Sequence, residues 1–435
     1  MASKGNKKLL IIDVAALGYD FVTKHSNAKL IDLEFKPIET VFPALTCTVQ
    51  ASFRTAALPS EHGMVANGLF HRDLRKVMFW EQSSRLVKGE RFWKRFRQKG
   101  GGVGMLFWQQ SLGEDVNIAL SPAPIHTHGG GMIQDCYGKP ANLYSDLSEA
   151  VGRKFKLKHY WGPLASVKAG DWISSATEAL LNKNDLAPEL CMVYLPTLDY
   201  DLQRYGPKSE KAKAALQKAA GQLERTIKAA KSNGYEVIVF GDYAIASVEG
   251  EPVYPNRALA DAGLLKTRRV KKMLYADLYA SSAFAVADHE IAHVYVGNQE
   301  EIEKTKRALS ELNGVAEVVD RAEMKTRGLD HPHSGELLIV AGEGRWFAYP
   351  WWKEKREAPD YATHIDIHNK PGYDPSELFF GWPPWNVSQN HSRIRGSHGK
   401  IGPDRKVCFA STISFPDGPS TIIELASEVK RWLED

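Results

Sequence analysis

Lys8-Leu9-Leu10-Ile11-Ile12-Asp13-Val14 is the stretch that decides the fold. A short apolar run ending in an acid suits a central parallel strand buried on both faces. Two more runs share the pattern: Leu190 to Leu195, followed by Thr197-Leu198-Asp199, and Tyr235 to Phe240, followed by Gly241-Asp242. Each delivers an aspartate to the C-terminal end of a buried strand, the edge at which open α/β sheets bind ligands. Ser209 to Ser232, rich in Lys, Ala, Gln and Glu with periodic Leu and Ile, reads as the crossover helix of a βαβ unit. The expectation is an α/β fold with a mostly parallel central sheet.

Outward from these strands, Pro43 to Ala57 reads as a helix entered through Pro43 and capped by Thr46 or Thr48. Arg91 to Ile118 reads as a helix–strand pair. The texture changes near Glu251, and Ile291 to Val318 reads strand–helix–strand, a compact unit suited to a cap inserted in the main sheet. The chain then returns through Gly335-Glu336-Leu337-Leu338-Ile339-Val340, and Ser420 to Trp432 forms a terminal helix. The predicted organisation is a core, first part, over 1–250, a cap over 251–375, and the C-terminal part of the core over 376–435.

Composition narrows the function. The 435 residues carry 56 basic and 52 acidic side chains, a formal charge of +4, which argues against a nucleic-acid polymer as partner. With 43% hydrophobic and 25% charged residues the chain is an ordinary globular protein, neither disordered nor fibrous. The four cysteines are scattered without a C-x-x-C pair, so neither a disulfide framework nor a cysteine zinc site is supported. No apolar run reaches the roughly 18 residues of a membrane span, and no membrane partner is expected. The basic start followed by Leu9 to Ile12 imitates a signal peptide, but Asp13 interrupts it and no small-residue cleavage site follows. A cytoplasmic location is the expectation.

Asp13, Asp199 and Asp242 lie far apart in sequence but converge at one sheet edge. Clustered carboxylates repel one another unless a cation neutralises them, so together they point to a metal site. Singly, each also reads as a helix cap. In Val41-Phe42-Pro43-Ala44-Leu45-Thr46-Cys47-Thr48-Val49-Gln50, a hydroxyl stands at a helix N-terminus, where amides and the dipole attract an anion. Beside a cation such a hydroxyl can ionise and attack phosphorus; without one it is a plain cap.

The chain resembles the alkaline phosphatase superfamily, specifically its type I phosphodiesterase/nucleotide pyrophosphatase branch. The resemblance rests on Phe42-Pro43-Ala44-Leu45-Thr46 and on Leu58-Pro59-Ser60-Glu61-His62-Gly63-Met64-Val65-Ala66-Asn67, which follow the family's order and spacing after a strand-end aspartate. It implies a three-layer α/β/α sandwich with a mostly parallel sheet and an inserted, smaller α+β cap. It implies Thr46 as nucleophile and Asn67 as holder of a non-bridging phosphoryl oxygen. Metal ligands by the same resemblance are Asp13, Thr46, Asp199, Asp242 and His398. Two divalent ions follow, Zn²⁺ or Mn²⁺ with Mg²⁺ as a further candidate. The implied activity is hydrolysis of a phosphodiester or pyrophosphate bond in a small phosphorylated substrate through a covalent phospho-Thr46. The alternative is a metal-poor relative that binds a phosphorylated or other small ligand without efficient turnover.

Two departures motivate that alternative. Gln203, in Asp199-Tyr200-Asp201-Leu202-Gln203, stands where the family has a ligand histidine, and Tyr243 follows Asp242 where another belongs. A neutral amide is a weak donor and a phenol binds only when ionised, so at least one metal position is weakened or remodelled. Replacement ligands can come from Thr363-His364-Ile365-Asp366-Ile367-His368, whose alternation puts His364, Asp366 and His368 on one strand face, or that face simply meets water.

Other features are weaker. His126-Thr127-His128 before Gly129-Gly130-Gly131, and His331-Pro332-His333, read as surface loops or pocket linings. Trp346-Phe347, Tyr349 and Trp351-Trp352 read as cap packing or a stacking surface. Arg91 to Arg97 reads as an amphipathic helix with a solvated basic face. Cys47 lacks the sulfatase signature and reads as a small buried hydrophobe.

Overall fold

The computed structural model describes residues 7–26, 29–129, 131–183, 185–363, 379–380, 387–388, 390–416 and 418–435. His364, Asp366 and His368 lie outside the described residues. Strand β1 (Leu9–Val14) is buried along its whole length in an eight-stranded sheet. Its alternate side chains leave on opposite faces: Leu10, Ile12 and Val14 enter one apolar cluster, Leu9 and Ile11 another. That two-sided burial is why the run is apolar throughout.

The other strands of this sheet are β2 (Lys36–Ile38), β5 (Val103–Leu106), β6 (Ile118–Pro122), β7 (Cys136–Lys139), β8 (Leu190–Leu195), β9 (Glu236–Gly241) and β14 (Val407–Ser411). Their order is β7-β6-β5-β8-β1-β9-β14-β2. The five strands from β6 to β9 in that order run parallel, and β7, β14 and β2 pair antiparallel at the flanks. Helices α2 (Lys168–Leu181) and α4 (Glu210–Ser232) supply Ile173, Leu180, Leu216 and Leu223 to the first cluster. Helices α1 (Thr46–Thr55) and α5 (Ile422–Glu434) supply Val49, Phe53, Leu425 and Val429 to the second. The result is a three-layer α/β/α sandwich.

A second, four-stranded antiparallel sheet holds β10 (Ala283–Asp288), β11 (Ile291–Val296), β12 (Val315–Asp320) and β13 (Leu337–Ala341), in the order β10-β11-β13-β12. The hairpin β3 (Gly68–His71)–β4 (Lys76–Phe79) packs with it, Phe70 meeting Phe284 edge-on at 4.7 Å. The aromatic residues Trp346, Phe347, Tyr349, Trp351 and Trp352 are buried packing.

Three local expectations change. The run at 335–340 belongs to the second sheet, and the chain returns to the main sheet through β14. The basic, aromatic helix is only Lys94–Gln98, with Phe92, Trp93 and Phe96 anchored in the core. The helix expected from Pro43 begins at Thr46, after an extended Leu45 that supplies no side-chain cap. Thr46 thus occupies the first helical position, where its hydroxyl is free for another partner.

Candidate active site

Asp13 stands next to last in β1, level with Tyr194 of β8 and Phe240 of β9. Asp242 directly follows β9, and Asp199 sits in the first turn of α3 (Thr197–Tyr205), just beyond β8. Parallel strands thereby bring all three acids to one edge. Asp13 and Asp242 are fully buried. Asp13 accepts a hydrogen bond on Oδ2 from Gln50 Nε2 at 2.7 Å, while its Oδ1 is buried with no hydrogen-bond partner among the described residues. Asp242 Oδ1 accepts from the backbone amides of Ala16 (3.1 Å) and Tyr243 (2.9 Å). Its Oδ2 accepts from the Thr46 hydroxyl at 3.1 Å.

Burial raises the Asp13 carboxyl to about 8. Burial first, and then the Asp13 charge, holds Asp242 well above the usual carboxylate range. Two buried acids that oppose each other's ionisation, one with an orphaned oxygen, are the setting a cation relieves. The donors here, two carboxylates and a hydroxyl, are all oxygen and suit a hard divalent ion.

Asn67 sits beside the nucleophile helix. Its Oδ1 accepts from the Cys47 amide at 3.0 Å, and Asp288 takes its backbone N–H at 2.8 Å and its Nδ2 at 3.2 Å. One side-chain amide hydrogen is thus committed and Asn67's orientation is set from both ends.

Around Asp199 the arrangement differs. Its Oδ1 accepts from both Gln203 Nε2 at 2.7 Å and the Tyr243 phenol at 2.9 Å. Burial, then Asp199 and Asp242, push the Tyr243 phenol far above its ordinary value, so it stays protonated. Its ring stacks on His398, centroids 3.5 Å apart and planes within 4°. His398 Nδ1 lies 2.8 Å from the Ala44 carbonyl, which can only accept, so Nδ1 carries the proton and Nε2 the lone pair. Burial and neighbouring His289 keep that imidazole neutral. Among the described residues no group of three or more His, Cys, Asp or Glu is arranged to hold a metal ion. Asp13, Asp242 and Thr46 nonetheless have the oxygen chemistry to hold a divalent cation, whereas Gln203 and Tyr243 both turn hydrogen-bond donors toward Asp199.

A cleft of about 710 Å³ opens above, lined by Thr46, Asp199, Gln203, Tyr243, His289 and His398, with an aromatic wall of Trp80, Tyr160, Trp161 and Tyr200. Three of its supports escaped the sequence reading. Gln50 lies one turn beyond Thr46 on α1, a signal readable from helical spacing. Asp288 ends β10 and His289 follows it, the same apolar-run-then-acid pattern as the core strands. His289 adopts a left-handed φ of 60° and its ring centroid is 4.0 Å from His398's. Elsewhere, His126 and His128 are exposed, and His333 Nδ1 bonds the Gly63 carbonyl at 2.8 Å. Cys47 is buried, its sulfur accepting from Gln110.

The family profile described as type I phosphodiesterase / nucleotide pyrophosphatase matches residues 29–374. The chain belongs to the type I phosphodiesterase/nucleotide pyrophosphatase family. Membership places it in the alkaline phosphatase superfamily, among hydrolases of phosphodiester and nucleotide pyrophosphate bonds. No functionally curated protein matches it. Among solved structures, murine ectonucleotide pyrophosphatase/phosphodiesterase 5 is similar with a TM-score of 0.62 at 14% identity, over 98% of this chain and 95% of that one. Phosphonoacetate hydrolase from Sinorhizobium meliloti 1021, in complex with phosphonoformate, is similar at 0.63 and 15%, over 98% and 96%. An inactive form of the murine protein in complex with AMP gives 0.61 and 14%, over 98% and 95%. At such identities these likenesses show the shared fold.

Proposed function

We propose that this chain hydrolyses a phosphodiester or pyrophosphate bond in a small phosphorylated substrate, with Thr46 as nucleophile and a phospho-threonine as intermediate. The observation that carries the reading is the Thr46 hydroxyl, lining the cleft and donating to buried Asp242 at 3.1 Å. That bond fixes the proton toward Asp242 Oδ2 and leaves the oxygen's lone pairs for phosphorus. Thr46 Oγ1 gives up its proton toward Asp242 and forms the new P–O bond as the bond to the leaving oxygen breaks, that oxygen departing with a proton. Water then attacks phosphorus, one of its protons going to the released Thr46 oxygen and its oxygen staying on the phosphate. Asn67, held by Asp288 and the Cys47 amide, has a second amide hydrogen for a non-bridging oxygen. A divalent cation on Asp13, Asp242 and Thr46, with Mn²⁺, Zn²⁺ or Mg²⁺ all compatible, would lower the hydroxyl's pKa and offset phosphoryl charge. AMP and phosphonoformate bound by the structural relatives support a small phosphorylated or phosphonate ligand.

The test is hydrolysis of bis(4-nitrophenyl) phosphate by protein purified with Mn²⁺ or Zn²⁺. Thr46→Ala is expected to lower kcat about 10³-fold or more; activity that survives it removes Thr46 from the mechanism. Gln203 and Tyr243 favour a second reading, in which the cleft binds a phosphorylated ligand without turnover. Calorimetric binding of ATP with no release of AMP or pyrophosphate selects that reading. A cytoplasmic location belongs to the same proposal: the four cysteines are few and scattered in sequence, which suits a reducing compartment, and cell fractionation checks it.

A further inference from the structure

We infer that this active site holds one divalent cation where the family resemblance implies two, and that Gln203 and Tyr243 close the second position as a hydrogen-bonded clasp on Asp199. The inference deepens the proposed phosphoryl-transfer reading and rests on it for its substrate consequence alone. The two replacements act on the same atom: Gln203 Nε2 at 2.7 Å and the Tyr243 hydroxyl at 2.9 Å both donate to Asp199 Oδ1. A cation needs lone pairs pointed inward, and here the neighbours of Asp199 point hydrogens. Turning the Gln203 amide over would set its oxygen against a carboxylate oxygen. The clasp is also braced, because Tyr243 lies flat on His398 at 3.5 Å.

The other position has the opposite character. Among the described residues Asp13 Oδ1 is buried without a hydrogen-bond partner, and Gln50 engages only Oδ2. Asp242 turns one oxygen to backbone amides and the other to Thr46. One buried place is short of positive charge, and the other has already been supplied with donors.

The substrate class follows. A pair of cations stabilises both the entering and the leaving oxygen of a displacement. A neutral amide and phenol near Asp199 offer the leaving oxygen much less, so the leaving group must itself be a weak base. A phosphoanhydride or an aryl phosphate ester meets that need, and an alkyl phosphodiester does not.

Metal content is the decisive measurement, because it reads the centre whether or not turnover occurs. Full-length protein is stripped with chelator, titrated with Mn²⁺ alone and followed by calorimetry and by elemental analysis after desalting. One equivalent per chain is expected. Asp13→Asn is expected to weaken it at least about 100-fold, whereas Asp199→Asn keeps it. The double variant Gln203→His/Tyr243→His is expected to take up a second equivalent, and circular dichroism establishes that each variant is folded. If the double variant fails to fold, wild type and the two single variants still decide the matter. Two equivalents or none in the wild type overturns the inference, as does a single ion lost with Asp199→Asn but kept with Asp13→Asn. On a series of substituted phenyl phosphodiesters, wild-type rates are expected to fall steeply as the leaving phenol becomes more basic. A flat dependence overturns the substrate consequence, and absence of all turnover with one bound ion counts against the hydrolase reading while leaving the stoichiometry standing.

Discussion

Asp13 is a carboxyl whose ordinary value of 3.8 burial raises to about 8. In chelated protein, the folded state keeps a proton between those values that the unfolded chain has released. Stability of the metal-free chain therefore falls as pH rises through that window, and Asp242, raised by the same burial, adds to the fall with the same sign. Thermal melting in chelator between pH 5 and pH 8 is expected to show the decline, Asp13→Asn to reduce it, and saturating Mn²⁺ to offset it. The acids were legible in sequence because each ends an apolar strand. Gln50, Asp288 and His289 were harder to see, since what joins them to Asp13, Asn67 and His398 is contact between side chains of different elements. The replacement of histidines by Gln203 and Tyr243 was visible as a loss of ligands, whereas their convergence on one Asp199 oxygen required coordinates.

At the level of the element, α1 shows how a helix can serve a sheet edge. Its core face buries Val49 and Phe53, and Phe53 stacks on Phe240 at 4.6 Å. Its last turn buries Arg54 completely, with Glu114 3.4 Å away and the Gln110 carbonyl at 2.8 Å. Glu114 also binds Arg91 at 2.9 Å. This ion pair fastens the helix to the loop at 109–114, and that loop carries Gln109, whose amide donates to Gln50. Glu114→Ala leaves a buried guanidinium without its carboxylate, and chemical denaturation is expected to show a loss of about 3–5 kcal/mol. The helix was legible from its composition, its start less so. Pro43 suggested an entry, but Leu45 is extended, with φ −132° and ψ 142°, and Thr46 reaches Asp242 in place of capping. The strand at 337–341 shows a second limit: an apolar run buried on both faces looks the same in either sheet.

On the scale of the whole molecule, the turn between β10 and β11 ties the two sheets together. Asp288 holds Asn67, the Glu290 amide donates to the His398 carbonyl at 2.8 Å, and Glu290 pairs with Arg405 at 3.2 Å, both nearly inaccessible. Asp288→Ala is expected to lower kcat/KM about 10- to 100-fold, the scale typical of removing a support behind a working group. A melting temperature close to wild type would separate positioning from general damage. Arg405→Leu leaves the buried Glu290 carboxylate with only the Lys400 amide at 3.2 Å and ammonium at 4.0 Å, and is expected to cost about 3 kcal/mol by denaturation. The α/β class, the parallel strands and the existence of a smaller α+β unit were readable from periodicity and resemblance. Which of its loops would reach the nucleophile was not, because that depends on how two separately patterned sheets dock.

The contact between Asp288 and Asn67 bears on protein engineering. Trimming the second sheet away to obtain a minimal catalyst would strip the asparagine of its anchor and open the floor of the cleft to solvent. Substitutions belong on the exposed side of its helix Ile302–Ser310, at Glu303, Lys304 and Arg307, whereas the tripeptide at 288–290 must travel intact with any transplanted nucleophile helix.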